Sequence, residues 1–178
     1  MSQDTATETG FLQDIAFFGA LDDAERRALE DICQRYALPI GQRFIHEGDT
    51  SRDLYILHRG AVRVLKQDNG EPCELASLRA EAVFGEMALI KGEPRSATVE
   101  VIQSAELVRI DADGFHALLA DNSLVAYKIA FAILDRLASR QAYLNQELLG
   151  LSAQAAAQCL APEKIINLYN ECLEKGAI

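Results

Sequence analysis

Leu54-Tyr55-Ile56-Leu57-His58-Arg59-Gly60-Ala61-Val62-Arg63-Val64-Leu65-Lys66-Gln67-Asp68-Asn69-Gly70 is the stretch from which the fold of this chain is read. Two runs of strand-forming character, 54–57 and 62–65, are separated by His58-Arg59-Gly60 and closed by Asp68-Asn69-Gly70. Asn-Gly after an apolar run is the strongest short-range hairpin signal, because both residues accept the positive φ that a tight two-residue turn demands. Similar runs lie on either side, at 43–45, 75–78, 98–102 and 107–110, with breakers at Gly41, Gly48-Asp49, Arg59-Gly60 and Gly92. Many short strands at near-regular spacing predict an antiparallel roll or barrel over 36–110.

Helical patterns flank this region. Phe11-Leu12 and 15–18 form a short apolar patch, and Asp22 followed three residues later by Glu25 predicts a capping box that opens an amphipathic helix over 24–34. After Asp111 come a short helix over 115–120 and a long one over 123–149 that contains neither Gly nor Pro. In steps of three and four the long helix reads Tyr127, Ala130, Leu134, Leu137, Gln141, Leu144, Leu148 and Leu151, a heptad seam with one polar seat. Such a stripe either packs on its own domain or pairs in parallel with a second copy; its length and polar seat favour a homodimer through 123–151. Pro162 at a first helical position, Ile165, Ile166, Tyr169 and Leu173 on one side, and Gly176 as a stop predict a terminal helix. The fold class is therefore α+β: an antiparallel β-roll of jelly-roll-like, double-stranded β-helix type, flanked by N-terminal helices and a long C-terminal helix. The expected organisation is a flexible 1–10, a binding domain over 11–150 and a helical extension over 151–178.

Composition narrows the function. The 178 residues are 49% hydrophobic and 25% charged, with a formal net charge of −10. Nucleic-acid binding rests on Lys and Arg neutralising phosphates, so an acidic chain is not expected to bind it. Cys33, Cys73, Cys159 and Cys172 show no metal-ligand spacing with each other or with His46, His58 and His116, and are read as reduced thiols. No basic-then-apolar leader and no run of about 18 apolar residues is present, so a cytoplasmic protein without membrane contact is expected.

The chemistry sits in Phe84-Gly85-Glu86-Met87-Ala88-Leu89-Ile90-Lys91-Gly92-Glu93-Pro94-Arg95-Ser96-Ala97-Thr98-Val99. Gly85 permits a tight turn at the start of a short helix, whose first N–H groups favour an anion. Arg95 supplies a permanent, fork-shaped cation suited to phosphate. Pro94 fixes the backbone before it, and the small Ser96 and Ala97 leave main-chain N–H groups accessible. Glu86 would repel a phosphate but would accept a hydrogen bond from a neutral sugar hydroxyl. Together these describe a ribose phosphate; the plain alternative is a Glu86–Arg95 ion pair closing a loop. No nucleophile–base pair is visible, so binding rather than catalysis is expected.

This stretch resembles, without a gap, the phosphate-binding cassette of cyclic-nucleotide-binding domains. That family includes the regulatory subunit of cyclic-AMP-dependent protein kinase, the bacterial catabolite activator protein and cyclic-nucleotide-gated channels. The pattern upstream, Gly48, 53–57, Gly60 and 62–64, is also similar, and the resemblance covers about residues 11–150. It implies that Glu86 takes the ribose 2′-OH, and that Arg95 with main-chain N–H groups around Ala88, Ser96 and Ala97 holds the cyclic phosphate. Phe84, Gly85 and Met87 complete the cassette. Val64 and Leu75 fall on the apolar wall against the base, where ordinary roll core is the alternative. A cap over the base is implied from the helix after the roll, with Arg136, Arg140 and Gln141 as candidates. Ser96 after Arg95 resembles the catabolite activator protein, which implies cyclic AMP, with a cyclic-GMP receptor as the alternative. The resemblance also implies that nucleotide binding repositions the C-terminal helices and so signals to a protein effector. Catabolite activators carry a DNA-reading domain after the long helix; only 28 residues follow Gly150 here, so a regulator of that type lacking the domain is the second reading. No cofactor or metal is expected.

Overall fold

A computed structural model describes residues 10–157, with side chains described over 10–150. The chain divides into two compact units, Met1–Ile133 and Leu134–Ile178. The terminal helix expected after Pro162 lies outside the described residues.

In the first unit a 3₁₀ turn, Ala16–Phe18, leads to helix α1, Asp23–Glu30. The capping box is present: Asp22 Oδ1 accepts from Glu25 N and Glu25 Oε2 accepts from Asp22 N, each at 2.9 Å. The helix is shorter than expected, because 33–34 turn out of it into β1, Cys33–Leu38. The burial of Cys33, Tyr36 and Leu38, with exposed residues between them, explains the switch: the apolar positions serve a sheet face rather than a helix stripe.

Strands β2 (Arg43–Ile45), β3 (Leu54–Asp68), β4 (Glu71–Arg79), β5 (Val83–Phe84) and β6 (Thr98–Ile110) complete a six-stranded antiparallel sheet with order β1-β6-β3-β4. β2 also pairs with β6, and β5 with β3. The Asn69-Gly70 turn is where it was expected, with Asp68 paired to Glu71 and φ of 53° and 88° at the two turn residues.

The short runs, however, fuse. Arg59-Gly60 does not break a strand; β3 continues through it for 15 residues, and β6 runs for 13. The register between them slips at 57–62. Bulges of this kind bend a strand without ending it, which lets one sheet roll around a core. Gly60 makes the bend possible: its φ is +88°, and a Cβ there would collide with the backbone of Ser104 and Ala105.

Tyr36, Leu38, Ile45, Leu57, Val62, Phe84, Val99, Val101, Ala105 and Leu107 form the core of the roll. Burying each large aliphatic side chain among them contributes roughly 1.5–3 kcal/mol. Cys33 lies in this unit with its thiol pushed up to about 12 by burial, which keeps it protonated at neutral pH.

Helix α2 (Glu86–Lys91) follows β5 directly, and α3 (Ala112–Ala120) follows β6. Helix α4 (Leu124–Ala157) starts in the first unit, where Val125, Ala126, Ile129 and Ile133 are buried. Lys128 Nζ fastens it to α1 through both Glu25 carboxylate oxygens, each at 2.7 Å. No single helix among the described residues is long and apolar enough to cross a membrane.

Candidate functional site

The site forms where β5, α2 and the loop before β6 meet the start of β3. Arg95 is its centre, and the backbone pins it from both sides: its N–H donates to Asp49 O at 2.8 Å, and its carbonyl accepts from Gly48 N at 2.9 Å. The residue is only 4% exposed. Its guanidinium is bracketed by Nε to Ser51 Oγ at 3.1 Å, Nη1 to Gly85 O at 3.3 Å and Nη2 to Asp53 O at 2.8 Å. The Tyr55 ring lies beneath it, 5.5 Å from ring centroid to guanidinium carbon.

A guanidinium carries five N–H donors. Among the described residues three are engaged, each by a neutral oxygen, so one N–H on Nη1 and one on Nη2 are left for a ligand. Two N–H groups on a planar fork match two oxygens of one phosphate. Burial pulls the Arg95 pKa down, while Tyr55 and the carboxylates of Asp53, Asp49 and Glu86 work in the opposite direction.

Gly85 is fitted to this arginine. It caps α2 with φ of 87° and supplies no capping side chain. A Cβ there would lie 2.7 Å from Arg95 Nη1 and 2.8 Å from Asp53 O, so close approach and positive φ both demand glycine. The turn that follows buries Glu86 (7% exposed), Ala88 and Leu89, and leaves Met87 and Ile90 exposed. Phe84 is buried in the core, with its ring stacked on Tyr55 at 5.8 Å and Phe44 edge-on to both. It therefore supports the ring beneath Arg95 rather than offering surface to a ligand.

Gly85 to Ala88 stand at the start of α2 and Arg95 to Ala97 in the segment before β6, and the bond from Arg95 Nη1 to Gly85 O joins the two groups, with Ser96 exposed and Ala97 buried. Val64, half-buried, pairs with Val99 and shares its face of β3 with core residue Val62. Leu75 differs from the roll-core alternative: it is 57% exposed, at the bulge where Val64 pairs with Ala76 and Leu65 with Glu74. An apolar side chain held out of the core on β4 is free to contact something else. Arg136, Arg140 and Gln141 lie on α4 in the second unit, all exposed.

Three contributors were not picked out from sequence. Ser51 and Asp53 act in a polar loop, two of the three bonds to Arg95 use main-chain carbonyls, and Tyr55 looked like ordinary strand. The available signal was the position of 48–53 directly before the longest described strand, with Tyr55 as that strand's second residue.

Comparison with known proteins agrees with this geometry. Residues 35–122 match the cyclic nucleotide-binding domain family. This chain carries a cyclic nucleotide-binding domain. It is 32% identical over 117 residues to the cyclic AMP receptor protein of Thermus thermophilus, covering 65% of this chain and 53% of that protein. It is 32% identical over 89 residues to a cAMP-dependent protein kinase regulatory subunit of Mucor circinelloides, covering 50% of this chain and 21% of that one. The chain thus spans about half of the first relative and about a fifth of the second. A crystal structure of a cyclic nucleotide-binding domain from Methylobacillus flagellatus superposes with a TM-score of 0.67 at 29% identity, over 75% of each chain.

Proposed function

We propose that this domain is a receiver for a 3′,5′-cyclic nucleotide, cyclic AMP in the first instance, and that it binds the nucleotide without turning it over. The observation that carries the proposal is the Arg95 bracket: a buried permanent cation, held by neutral oxygens, that keeps two N–H groups for an anion. Arg95 and the first turn of α2 hold the cyclic phosphate, and Ser96 and Ala97 add main-chain N–H groups. Glu86 accepts the ribose 2′-OH. Val64 and the exposed Leu75 flank the base. Two relatives whose names carry cyclic AMP support that nucleotide over cyclic GMP.

Output passes through the helices after the roll to a protein effector in the cytoplasm, not to nucleic acid, which the net charge of −10 disfavours. Two copies pair along α4, where seam positions Tyr127, Leu134, Leu144 and Leu148 are exposed. Light scattering on the full chain reads this directly: a dimer mass is expected, and a monomer at high concentration removes the seam.

The role of Glu86 is tested by titrating cyclic AMP against its 2′-deoxy analogue. Loss of a hydrogen bond to a charged acceptor, worth about 1.5–3 kcal/mol, weakens the analogue by about tenfold or more. Equal affinities would remove Glu86 from the ribose.

A further inference from the structure

Away from Arg95, a cavity of about 330 Å³ opens between the N-terminal residues before the 3₁₀ turn and strands β1, β3 and β6. It shares no residue with the guanidinium bracket. Its size is at the lower end of the ~300–1,000 Å³ common for small-ligand sites. The strand register builds its polar wall. Leu57 pairs with Leu107 and Arg59 with Glu106, which leaves His58 as the extra residue of a bulge. Regular pleating sends consecutive residues to opposite faces; with the bulge, His58 and Arg59 both line the cavity. Arg35 arrives from β1, and its Nη2 donates to Glu106 Oε2 at 2.6 Å. The Arg59 side chain is 68% exposed, and its Nη1 stops 3.7 Å from Glu106 Oε1, beyond hydrogen-bond distance. His58 Nδ1 is buried with no hydrogen-bond partner among the described residues, an uncommon state for a polar atom inside a protein. The rest of the wall is apolar: Ile15, Leu107 and Val108 are buried and Phe11 is half-buried.

We propose that this cavity is a second ligand site, separate from the nucleotide site, for a small organic monocarboxylate whose acidic head meets Arg59 and His58 and whose apolar body lies on Phe11, Ile15, Leu107 and Val108. The charge on the wall selects the head. Arg35 and Arg59 are balanced by Glu106 and Asp14, which completes the charged lining. The His58 imidazole, able to carry a proton, matches one incoming negative charge. A dianion would bring a second charge that nothing on the wall answers, and Asp14 and Glu106 would repel it. The guanidinium of Arg59 is the fork that a carboxylate fits, whereas Arg35 is already committed to Glu106. Convergent polar groups beside an apolar wall are the usual make-up of a small-molecule site. The proposal stands whether or not Arg95 takes a cyclic nucleotide.

The experiment is a titration of the full chain, labelled with nitrogen-15, followed by amide chemical shifts at constant ionic strength. Sodium hexanoate is the probe; hexanamide lacks its charge, acetate lacks its body, and adipate carries a second carboxylate. Hexanoate is expected to shift the amides of 58–59 and 106–108 saturably. Hexanamide and adipate should bind about two- to fivefold more weakly, and acetate about tenfold or more. Two substitutions at exposed positions, which leave the core untouched, should move hexanoate in opposite directions. Arg59→Gln weakens it by about two- to fivefold and leaves hexanamide as it was, while Asp14→Asn, which removes a repelling carboxylate, tightens it. Arg95→Ala should leave hexanoate binding unchanged. Shifts that grow linearly without saturation overturn the proposal, as does hexanoate affinity indifferent to Arg59→Gln. Hexanamide binding as tightly as hexanoate removes the charged head, and adipate binding more tightly removes the charge balance. Shifts confined to 85–97, or lost in Arg95→Ala, would place the acid in the nucleotide site and overturn the second site.

Discussion

Replacing Gly85 with alanine isolates the feature on which the site depends, the contact between a bare backbone and a buried guanidinium. Two costs are separable. At φ of 87° any Cβ pays the left-handed penalty, about 1–2 kcal/mol. For a chain of this size that lowers the melting temperature by about 2–8 °C. The second cost is positional. The new methyl would sit 2.7 Å from Arg95 Nη1, and the neighbouring Asp53 carbonyl, at 2.8 Å, closes the other way out. The guanidinium must give way and lose its aim. A hydrogen bond to a charged group is worth about 1.5–3 kcal/mol, so cyclic AMP affinity should fall by about 10-fold to 150-fold. Gly70→Ala is the control: its φ is 88°, but a Cβ there meets nothing within 4 Å. It should melt lower by a similar amount and bind as the wild type does. Thermal unfolding and titration calorimetry on the three proteins read both costs. If Gly85→Ala binds within about threefold of the wild type, or Gly70→Ala loses affinity equally, the close fit does not aim Arg95.

Two further outcomes are expected away from the ligand. Glu81 adopts φ of 70° without being glycine, and its Oε2 is buried with no hydrogen-bond partner among the described residues. Glu81→Gly should therefore stabilise the protein by about 1 kcal/mol, read as a melting point raised by about 2–4 °C; an unchanged or lower value refutes it. Glu100 receives Arg43 Nε at 2.7 Å and also the Arg63 guanidinium, which together hold its carboxyl below the ordinary value of 4.5. A depressed folded-state pKa gives stability that is present above the unfolded value and lost as pH falls through the folded one. Wild-type unfolding free energy should decline below about pH 4.5, and Glu100→Gln should flatten that decline. Equal pH slopes in the two proteins would remove Glu100 as a contributor.

The parts of this molecule that were legible in sequence are those set by neighbouring residues. Asn69-Gly70 needs positive φ at both positions, and the Asp22/Glu25 box needs three-residue spacing; each was found where expected. Gly85, Glu86 and Arg95 were legible as a group because the residue types have separate jobs at close spacing. What was hidden depends on distant register. Nothing local shows that Arg59-Gly60 is a bend inside one strand, because its cause is the approach of the backbone at 104–105. The apparent continuation of α1 into 33–34 failed for the same reason, since pairing with β6 recruits those residues. Ser51 and Asp53 were hidden because the bonds they make to Arg95 span more than 40 residues, and one of them uses a carbonyl that any residue would supply.

The central claim is that Arg95 keeps two N–H groups for the cyclic phosphate, and calorimetric titration of cyclic AMP into the full chain and into Arg95→Ala tests it most directly. The account predicts saturable one-site binding in the micromolar range or tighter for the wild type. It predicts a loss of about tenfold or more in the variant, at a temperature where unfolding shows both proteins folded. Binding of cyclic AMP that survives Arg95→Ala unchanged, or a wild type that binds neither cyclic AMP nor cyclic GMP below the high micromolar range, would contradict it.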